Sequence, residues 1–233
     1  MRPQRPEVAI KRVVALTNKA AGAFNRDSAE RKEKAISSAL AAHGLIAEIE
    51  FIDGSGLKSA VERARARAER GEIDAVIVGG GDGSLRTAAS VLAGTGVPLG
   101  ILPLGTMNHF AKDLGLPLSI QEASVAIAGG QIRAVDIAEV NGEIFINNSS
   151  IGIYPYMVID RERRMARHKL AKWAAMVPAF FRMMWHFPRR RLRIAAPGFE
   201  RPYRTPCLFV GNNQYAMELF TARRRQRLDS GKL

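Results

Sequence analysis

Short, continuous apolar runs alternate along the first half of the chain with longer stretches in which apolar residues recur every three or four positions. The short runs lie at residues 13–17, 45–52, 74–78 and 99–102. Their length and β-branched content predict strands, whereas the wider spacing between them predicts helices. Because the two patterns alternate, this half is predicted to be an α/β domain with a mostly parallel sheet covered by helices.

Polar residues and glycines mark the predicted helix ends. Asp27, with Glu30 three residues later, is typical of a helix start, and Gly44 is typical of a helix end. Ser119 and Glu122 form a capping-box pattern, which predicts another helix from that point. These signals divide the first half into discrete helices separated by strands.

The pattern changes beyond the α/β half. Residues 132–140 and 143–148 flank Asn141-Gly142, a dipeptide typical of two-residue β-hairpin turns. We therefore predict a domain boundary here, with an α/β domain at residues 1–133 and a β-rich, sandwich-type domain at residues 134–233.

The second domain is predicted to contain further strands and one helical insertion. Residues 191–195 and 207–210 have the pattern of strands, and Pro197-Gly198 and Pro202 place turn-like surroundings between them. A long helical pattern occupies about residues 160–187, between the hairpin and these strands.

The composition favours some partners and settings of the protein and excludes others. With 233 residues, 47% of them hydrophobic, the chain has ample material for a buried core. Its formal charge of +13 favours polyanions or anionic membranes over acidic proteins as partners. Cys207 is the only cysteine, which excludes an intramolecular disulfide and fits a reducing, cytoplasmic setting. Because no apolar run approaches the roughly 20 residues of a membrane span, we expect a soluble or peripheral protein.

Much of the positive charge lies in one segment. Residues 161–193 hold eleven Lys or Arg and one Glu, interleaved with aromatic residues. This pattern predicts an interfacial helix on an anionic membrane surface. The alternative is a helix packed against the second domain with a solvated basic face. Nucleic-acid binding is not favoured, since no recognised nucleic-acid module accompanies the charge, and nothing in the pattern indicates an oligomeric state.

The glycine-rich segment Gly79-Gly80-Gly81-Asp82-Gly83-Ser84 stands between a predicted buried strand and the helical run at residues 85–93. Glycines allow positive φ and a close approach to a ligand, and amides at a helix start favour phosphate oxygens. The carboxylate of Asp82 would repel a phosphate, so we expect it to orient a hydroxyl, a backbone amide or a magnesium-bound water. The spacing matches neither the dinucleotide fingerprint nor a Walker loop. The alternative is an ordinary strand-to-helix turn.

Two further loops follow predicted strands. Residues 102–111 contain Gly105, Thr106 and Asn108, and residues 18–22 form a polar turn after the first strand. Loops at the carboxyl ends of neighbouring parallel strands share one crevice. The three loops are therefore predicted to line a common site, with Thr106 donating to a phosphate and Asn108 capping a helix or binding ligand.

These three segments resemble the diacylglycerol kinase catalytic family, which also contains sphingosine and ceramide kinases and bacterial lipid kinases. The family's motifs stand here at Asn18 to Gly22, Gly80 to Ser84 and Leu102 to Ala111. The resemblance continues at residues 113–117, 145–152 and 211–213. It implies a nucleotide crevice between an N-terminal α/β domain, similar to that of NAD kinases, and a C-terminal β-sandwich.

The resemblance also implies a function, an ATP-dependent lipid kinase that passes the γ-phosphate to a lipid hydroxyl, such as that of diacylglycerol, with Mg²⁺ as cofactor. It would be cytoplasmic and peripherally associated with the membrane. Asp82 is the implied catalytic residue, which holds the magnesium and phosphates. The implied nucleotide-contacting residues are Asn18, Gly22, Gly80, Gly81, Asp82, Gly83, Ser84, Leu85, Arg86, Gly105 and Thr106. Phosphoryl transfer depends mainly on positioning of the reactants and on neutralisation of the phosphate charge.

The chain departs from the family pattern at several positions. Lys19 replaces a proline, Ser84 replaces threonine while it keeps the hydroxyl, Arg86 stands where asparagine is common, and His109 stands where aspartate is common. None of these changes removes the glycines or the hydroxyl groups that are expected to bind phosphate.

The C-terminal motifs depart further. The family's Leu-Asp-Asp-Gly-x-Leu segment, a structural magnesium site in bacterial members, stands at residues 228–233 with Ser230 in place of the second aspartate. Asp229 is the remaining metal candidate. The family's Asp-Gly-Glu motif, which supplies the general base, has no counterpart here. We therefore expect a C-terminally incomplete or catalytically defective chain. The alternatives are an NAD kinase-like enzyme, which uses a similar glycine loop, and a non-catalytic nucleotide- or membrane-binding protein.

Overall fold

The computed structural model groups the chain into two compact units. One unit is Met1–Asn147 with Asn212–Leu233, and the other is Asn148–Gly211. The residues that the structure describes are 10–20, 26–152, 189–218, 221–225 and 227–233. The helical insertion predicted at about residues 160–187 lies outside the described residues.

A four-stranded parallel sheet forms the centre of the first unit. Its strands are β1 (Arg12–Asn18), β2 (Ile46–Ile52), β3 (Ala75–Gly80) and β4 (Leu99–Pro103), in the order β2-β1-β3-β4. Every residue of the central strand β3 is buried. The predicted parallel α/β architecture is confirmed.

The helices of this unit are α1 (Arg26–Ala41), α2 (Leu57–Glu69), α3 (Asp82–Leu92), α4 (His109–Leu114) and α5 (Ile120–Ala128). The first and last of them cover one face of the sheet, and α2 and α3 cover the other. No helix in the described part of the chain has the length and apolarity needed to cross a bilayer.

Alternation along β1 shows why the sheet is covered on both faces. Val14 and Leu16 pack with α2 and α3, whereas Val13 and Ala15 pack with α1 and α5. Successive side chains of a strand point to opposite faces, so a continuous apolar run requires two apolar partners. The crossover helices make all four strands parallel, and their carboxyl ends therefore meet at one edge.

Two predicted helix ends, at Ser119 and Gly44, have the expected chemistry, whereas α1 begins at Arg26, one residue before the predicted start Asp27. Ser119 Oγ accepts a hydrogen bond from the Glu122 amide at 3.2 Å and donates to Glu122 Oε2 at 2.8 Å. Gly44 and Gly71, which follow α1 and α2, have φ of +77° and +73°. Glycine adopts this left-handed conformation without a Cβ penalty, which ends each helix.

The predicted hairpin is confirmed, with shorter strands than the pattern indicated. It consists of β5 (Ala138–Val140) and β6 (Glu143–Phe145) in antiparallel pairing. Asn141 and Gly142 have φ of 52° and 80°, the pair of positive values that a type I′ turn requires.

The hairpin region belongs to the first unit by its contacts. The Asp136 amide donates to Leu228 O at 2.6 Å, and the Gly231 amide donates to Asp136 Oδ2 at 2.6 Å. The strands β11 (Tyr215–Glu218) and β12 (Thr221–Arg225), which pair antiparallel, lie in the same unit. The compact units thus divide the chain differently from the boundary expected near residue 133, which stays a prediction.

Two antiparallel strand pairs form the described part of the second unit. The strand β7 (Asn148–Gly152) pairs with β10 (Cys207–Gly211), and β8 (Arg190–Ala196) pairs with β9 (Phe199–Thr205). The strands predicted at 191–195 and 207–210 are confirmed, while the sandwich arrangement stays a prediction.

One interpretation of this region was wrong, because Pro202 lies inside β9 and not in a turn. The turn is made by Pro197-Gly198 alone, with φ of +76° at Gly198. In a two-stranded ribbon, alternate amides of each strand point away from the partner strand. A proline at such an outer position removes no ladder hydrogen bond.

Asp74 joins the starts of β1 and β3. Its Oδ2 accepts hydrogen bonds from the Arg12 amide at 2.7 Å and the Lys11 amide at 2.9 Å. The bond from the Arg12 amide is the main cause that lowers the pKa of Asp74, and it outweighs the opposing effect of burial. The carboxylate is therefore held in its charged form in the folded protein.

We predict that Asp74→Asn lowers the free energy of unfolding at neutral pH by about 1 kcal/mol, because the bonds to the carboxylate become neutral. Since folding lowers this pKa, the stabilisation is complete above the unfolded-state pKa of about 3.9 and is lost as the pH falls through the folded-state value. Urea unfolding of both proteins from pH 7 to pH 3 measures this. A gap that does not shrink with acid would contradict the assignment.

Candidate functional site

The loops after β1, β3 and β4 meet at the carboxyl edge of the sheet. The Leu104 amide donates to Gly80 O at 3.1 Å, and Asn18 Nδ2 donates to Ser84 Oγ at 3.0 Å. Asn18 Oδ1 also accepts from the Ala20 amide at 2.9 Å, which fixes its side chain. The three loops predicted to share a crevice are thus in contact, and we call them the carboxyl-edge loops (residues 17–20, 79–84 and 103–109).

The glycines of the second loop are needed for a reason other than the predicted one. None of Gly79 to Gly83 has positive φ, and Gly81 is extended at φ −97°. A Cβ on Gly105 would lie 2.4 Å from Gly81 Cα, and a Cβ on Gly80 would lie 2.5 Å from Ser84 Oγ. The prediction of positive φ was therefore wrong, because close packing between the loops is what excludes side chains here.

The start of α3 is open. Gly83 is exposed, and a Cβ built there would meet no atom within 4 Å. No side chain caps this helix, and the Leu85 amide is the first to bond within it, to Gly81 O at 3.1 Å. The amides of residues 82–84 are consequently without intrahelical partners, and they lie at the positive end of the helix dipole. Such an arrangement binds anions, phosphates in particular.

Asp82 uses its carboxylate on protein amides. Its Oδ2 accepts from the His109 amide at 3.0 Å, and its Oδ1 accepts from the Phe110 amide at 2.8 Å and from Asn147 Nδ2 at 3.3 Å. Asp82 thereby satisfies the first amides of α4, which the side chain of its N-cap residue Asn108 does not reach. Of the three partners expected for Asp82, a hydroxyl, a backbone amide or a magnesium-bound water, the structure shows backbone amides. Its role in holding magnesium stays a prediction.

Asn108 supports its own loop. It is buried, has φ of 48°, and donates from Nδ2 to Pro103 O at 3.1 Å and to Gly105 O at 2.7 Å. Its Oδ1 accepts from the Gly105 amide at 3.0 Å. The polar atoms of this side chain are therefore used within the loop. Asn108 is the N-cap residue of α4, but its side chain makes no capping hydrogen bond, and its role in ligand binding stays a prediction.

The other predicted site residues have different surroundings. Thr106 is exposed next to Gly105. Arg86 is also exposed, and its Nη1 lies 3.5 Å from both Glu143 Oε2 and Ile144 O of the hairpin. Leu85 is fully buried in the core, so only its backbone is near the site. Gly22 lies outside the described residues.

The described residues contain no group of three or more His, Cys, Asp or Glu side chains that could hold a metal ion. Asp229 is half exposed and pairs with Arg227 at 3.2 Å, a hydrogen bond that lowers the pKa of Asp229. Ser230 bonds through Oγ to Asn213 Oδ1. The metal site expected at Asp229 stays a prediction.

Arg225 is an important residue that the sequence analysis did not identify. Its side chain is 0% exposed and its Nε donates to Asp113 Oδ2 at 2.7 Å. Nη1 donates to Ile146 O at 2.7 Å and to Asn212 O at 2.9 Å, and Nη2 donates to Asn147 Oδ1 at 2.9 Å. It stands in a run of three arginines, which indicates a solvated surface and not a buried centre.

Comparison with known proteins agrees with this geometry. A family model for the diacylglycerol kinase catalytic domain matches residues 12–140, which include all three carboxyl-edge loops. A Pseudomonas aeruginosa protein named "Probable lipid kinase YegS-like" is 32% identical over 160 residues, 68% of this chain and 52% of that protein. A protein of the same name from Pectobacterium atrosepticum is 33% identical over 148 residues, 61% of this chain and 49% of that protein. The chain thus spans about half the length of these curated relatives.

A solved structure agrees as well. The crystal structure of a diacylglycerol kinase from Bacillus anthracis superposes with a TM-score of 0.65 at 26% identity. The superposition covers 89% of this chain and 66% of the other. The similarity therefore extends well beyond the residues that the family model matches.

The packing of the loops predicts opposite outcomes for two glycines. Gly105→Ala should lower the free energy of unfolding by about 1–3 kcal/mol, because its Cβ would overlap the Gly81 backbone. Gly83→Ala should change it by less than about 1 kcal/mol, and in the stabilising direction, because the position is open and helical. Urea unfolding of both variants measures this difference, and equal effects would contradict the described loop contact.

Proposed function

Because the chain belongs to the diacylglycerol kinase catalytic domain family, we propose that it serves ATP-dependent phosphorylation of a lipid hydroxyl, such as that of a diacylglycerol. One observation carries the proposal, the uncapped start of α3 at the carboxyl-edge loops. The relatives named "Probable lipid kinase YegS-like" and the Bacillus anthracis diacylglycerol kinase structure support it.

The nucleotide phosphates would lie against the amides of residues 82–84. The close approach of Gly105 to Gly81 supports a role for the neighbouring, exposed Thr106, whose hydroxyl would be a second donor to the phosphates. Asn18 holds Ser84 in place from the end of β1. These groups bind and orient the phosphates, which is the main task of a protein in phosphoryl transfer. Magnesium bound with the nucleotide would neutralise phosphate charge.

A charge placed at the open helix start tests phosphate binding. Gly83→Glu should fold, since the position is open and an acidic residue in the first turn stabilises a helix. Its carboxylate should nevertheless repel phosphates and weaken ATP binding by at least about tenfold, because each 1.4 kcal/mol of repulsion is a factor of ten. Calorimetric titration of both proteins with Mg-ATP measures this. The matched variant Gly83→Gln adds equal bulk without charge.

The outcomes separate the proposed function from its alternatives. Equal ATP affinity of the wild-type protein and Gly83→Glu would contradict binding at α3. Transfer of labelled phosphate from ATP to NAD, and not to diacylglycerol in mixed micelles, would favour an NAD kinase-like enzyme. ATP binding without transfer to either acceptor would indicate a nucleotide-binding protein that is not itself catalytic.

We also propose that the second unit contacts an anionic membrane surface through the β8–β9 ribbon. Residues 189–205 hold six arginines and one glutamate, and they continue the basic segment identified at 161–193. Opposite residues of an antiparallel pair share one face. The pairs Leu192–Tyr203, Ile194–Arg201 and Ala196–Phe199 therefore share one face, and these residues are apolar apart from Arg201. On this face Tyr203 is 41% exposed and Phe199 is 39% exposed.

The composition of this ribbon favours lipid over nucleic acid. Arginine on both faces attracts phosphate head groups, and the exposed aromatic rings suit the interfacial level of a bilayer. The Arg201 guanidinium lies 5.9 Å from the Phe199 ring centroid, so charge and aromatic surface are adjacent. A lipid kinase must meet its substrate at such a surface.

Charge reversal on the ribbon tests membrane binding. The double variant Arg201→Glu/Arg204→Glu should lose most of its flotation with phosphatidylglycerol vesicles, because each basic residue near the surface contributes about 1 kcal/mol. The control Arg63→Glu/Arg70→Glu makes the same charge change in the first unit and should float like the wild-type protein. Salt should weaken the binding. Equal flotation of the wild-type protein with neutral vesicles would contradict the proposal. So would a ribbon variant that loses nucleic-acid binding but keeps its flotation with phosphatidylglycerol vesicles.

A further inference from the structure

Arg225 is a buried cation that donates to several protein acceptors. Its side chain is 0% exposed and makes four described hydrogen bonds, which reach Asp113, Ile146, Asn147 and Asn212. The guanidinium carbon lies 5.8 Å from the Phe110 ring centroid and 5.5 Å from that of Tyr215. Burial of a charge is costly unless the charge is paired and hydrogen-bonded, and Arg225 is both.

The partners of Arg225 lead back to the start of α3. Asp113 lies in α4, and the first amides of that helix donate to Asp82. Asn147 accepts from Arg225 Nη2 through Oδ1 and donates through Nδ2 to Asp82 Oδ1. A closed ring of contacts therefore joins Asp82, α4, Asp113, Arg225 and Asn147. Asp82 is also the first residue of α3.

The Asn147 side-chain amide has one favoured orientation in this ring. An asparagine side chain has one accepting oxygen and one donating nitrogen, at opposite positions. Because Arg225 can only donate, it fixes the oxygen of Asn147 toward itself and turns the nitrogen toward Asp82. Without that donor the amide could rotate and present its oxygen to the Asp82 carboxylate, where two acceptors would repel each other.

We propose that Arg225 is a positioning residue for the anion-binding start of α3, and that it acts through Asn147 on Asp82. Its consequence for ATP rests on the proposed function, whereas its consequence for the order of α3 does not. Strand β12 and the segment at Asn212 thereby become part of the site, although neither belongs to the carboxyl-edge loops.

Two variants and their combination test this route. Arg225→Lys keeps the charge beside Asp113 but has no planar fork to reach all acceptors together. Asn147→Ala removes the link to Asp82 and leaves the pair between Arg225 and Asp113 in place. Arg67→Lys is the matched control, since Arg67 makes a two-pronged pair with Glu48, at 2.7 and 2.8 Å, on the protein surface.

The first measurement needs no nucleotide. Hydrogen–deuterium exchange of the amides at residues 85–88 should accelerate about tenfold in Arg225→Lys and in Asn147→Ala, and the double variant should be no faster than either, because residues that act in series are not additive. The control should match the wild-type protein. The proposal would be overturned if the effects of the two substitutions on exchange multiplied in the double variant. It would also be overturned if the acceleration were confined to residues 212–233.

The second measurement is the dissociation constant for Mg-ATP. Each variant should bind about five- to tenfold more weakly, again without further loss in the double variant. If the wild-type protein does not bind ATP, the proposed function fails, and the exchange result still decides whether Arg225 positions α3. If Arg225→Lys does not fold, Asn147→Ala alone tests the proposal. Exchange at residues 85–88 as slow in Asn147→Ala as in the wild-type protein would refute the action through Asn147 on Asp82.

Discussion

The contact between the backbones of Gly81 and Gly105 is the constraint on which the site depends. It brings the loops after β3 and β4 so close that a Cβ at position 105 would lie 2.4 Å from Gly81 Cα. Parallel strands place their carboxyl ends at one edge in any α/β sheet. The glycines add a second requirement, because they let two loops touch without side chains between them and leave the start of α3 open.

The same packing explains why a carboxylate stands at the first position of α3. Asp82 accepts from two amides of α4 and from Asn147, so its negative charge is balanced by protein donors. Hydrogen bonds to an ionised acceptor are about twice as strong as neutral ones. Asp82 therefore joins α3 to α4, and Asn147 joins it in turn to Arg225.

Segments that are distant in the sequence meet at Arg225. Asn212 adds to its contact with Arg225 by donating to Asp136 O at 2.8 Å and to Ile146 O at 3.1 Å. Residues 134–147 belong to the same compact unit as Asn212, although their hairpin pattern predicts a β-rich domain. The local pattern thus predicts the hairpin correctly, while the domain boundary expected near residue 133 stays a prediction.

The sequence alone determined the succession of strands and helices along the α/β half, several helix ends and the Asn141-Gly142 turn, because each depends on periodicity or on backbone preferences of neighbouring residues. It also identified the three loops that meet. Only the tertiary structure decided why the glycines are required, what Asp82 binds, that Pro202 lies in a strand and that Arg225 is buried. Each of these depends on a partner far along the chain or on the position of one strand beside another, and no local pattern specifies either.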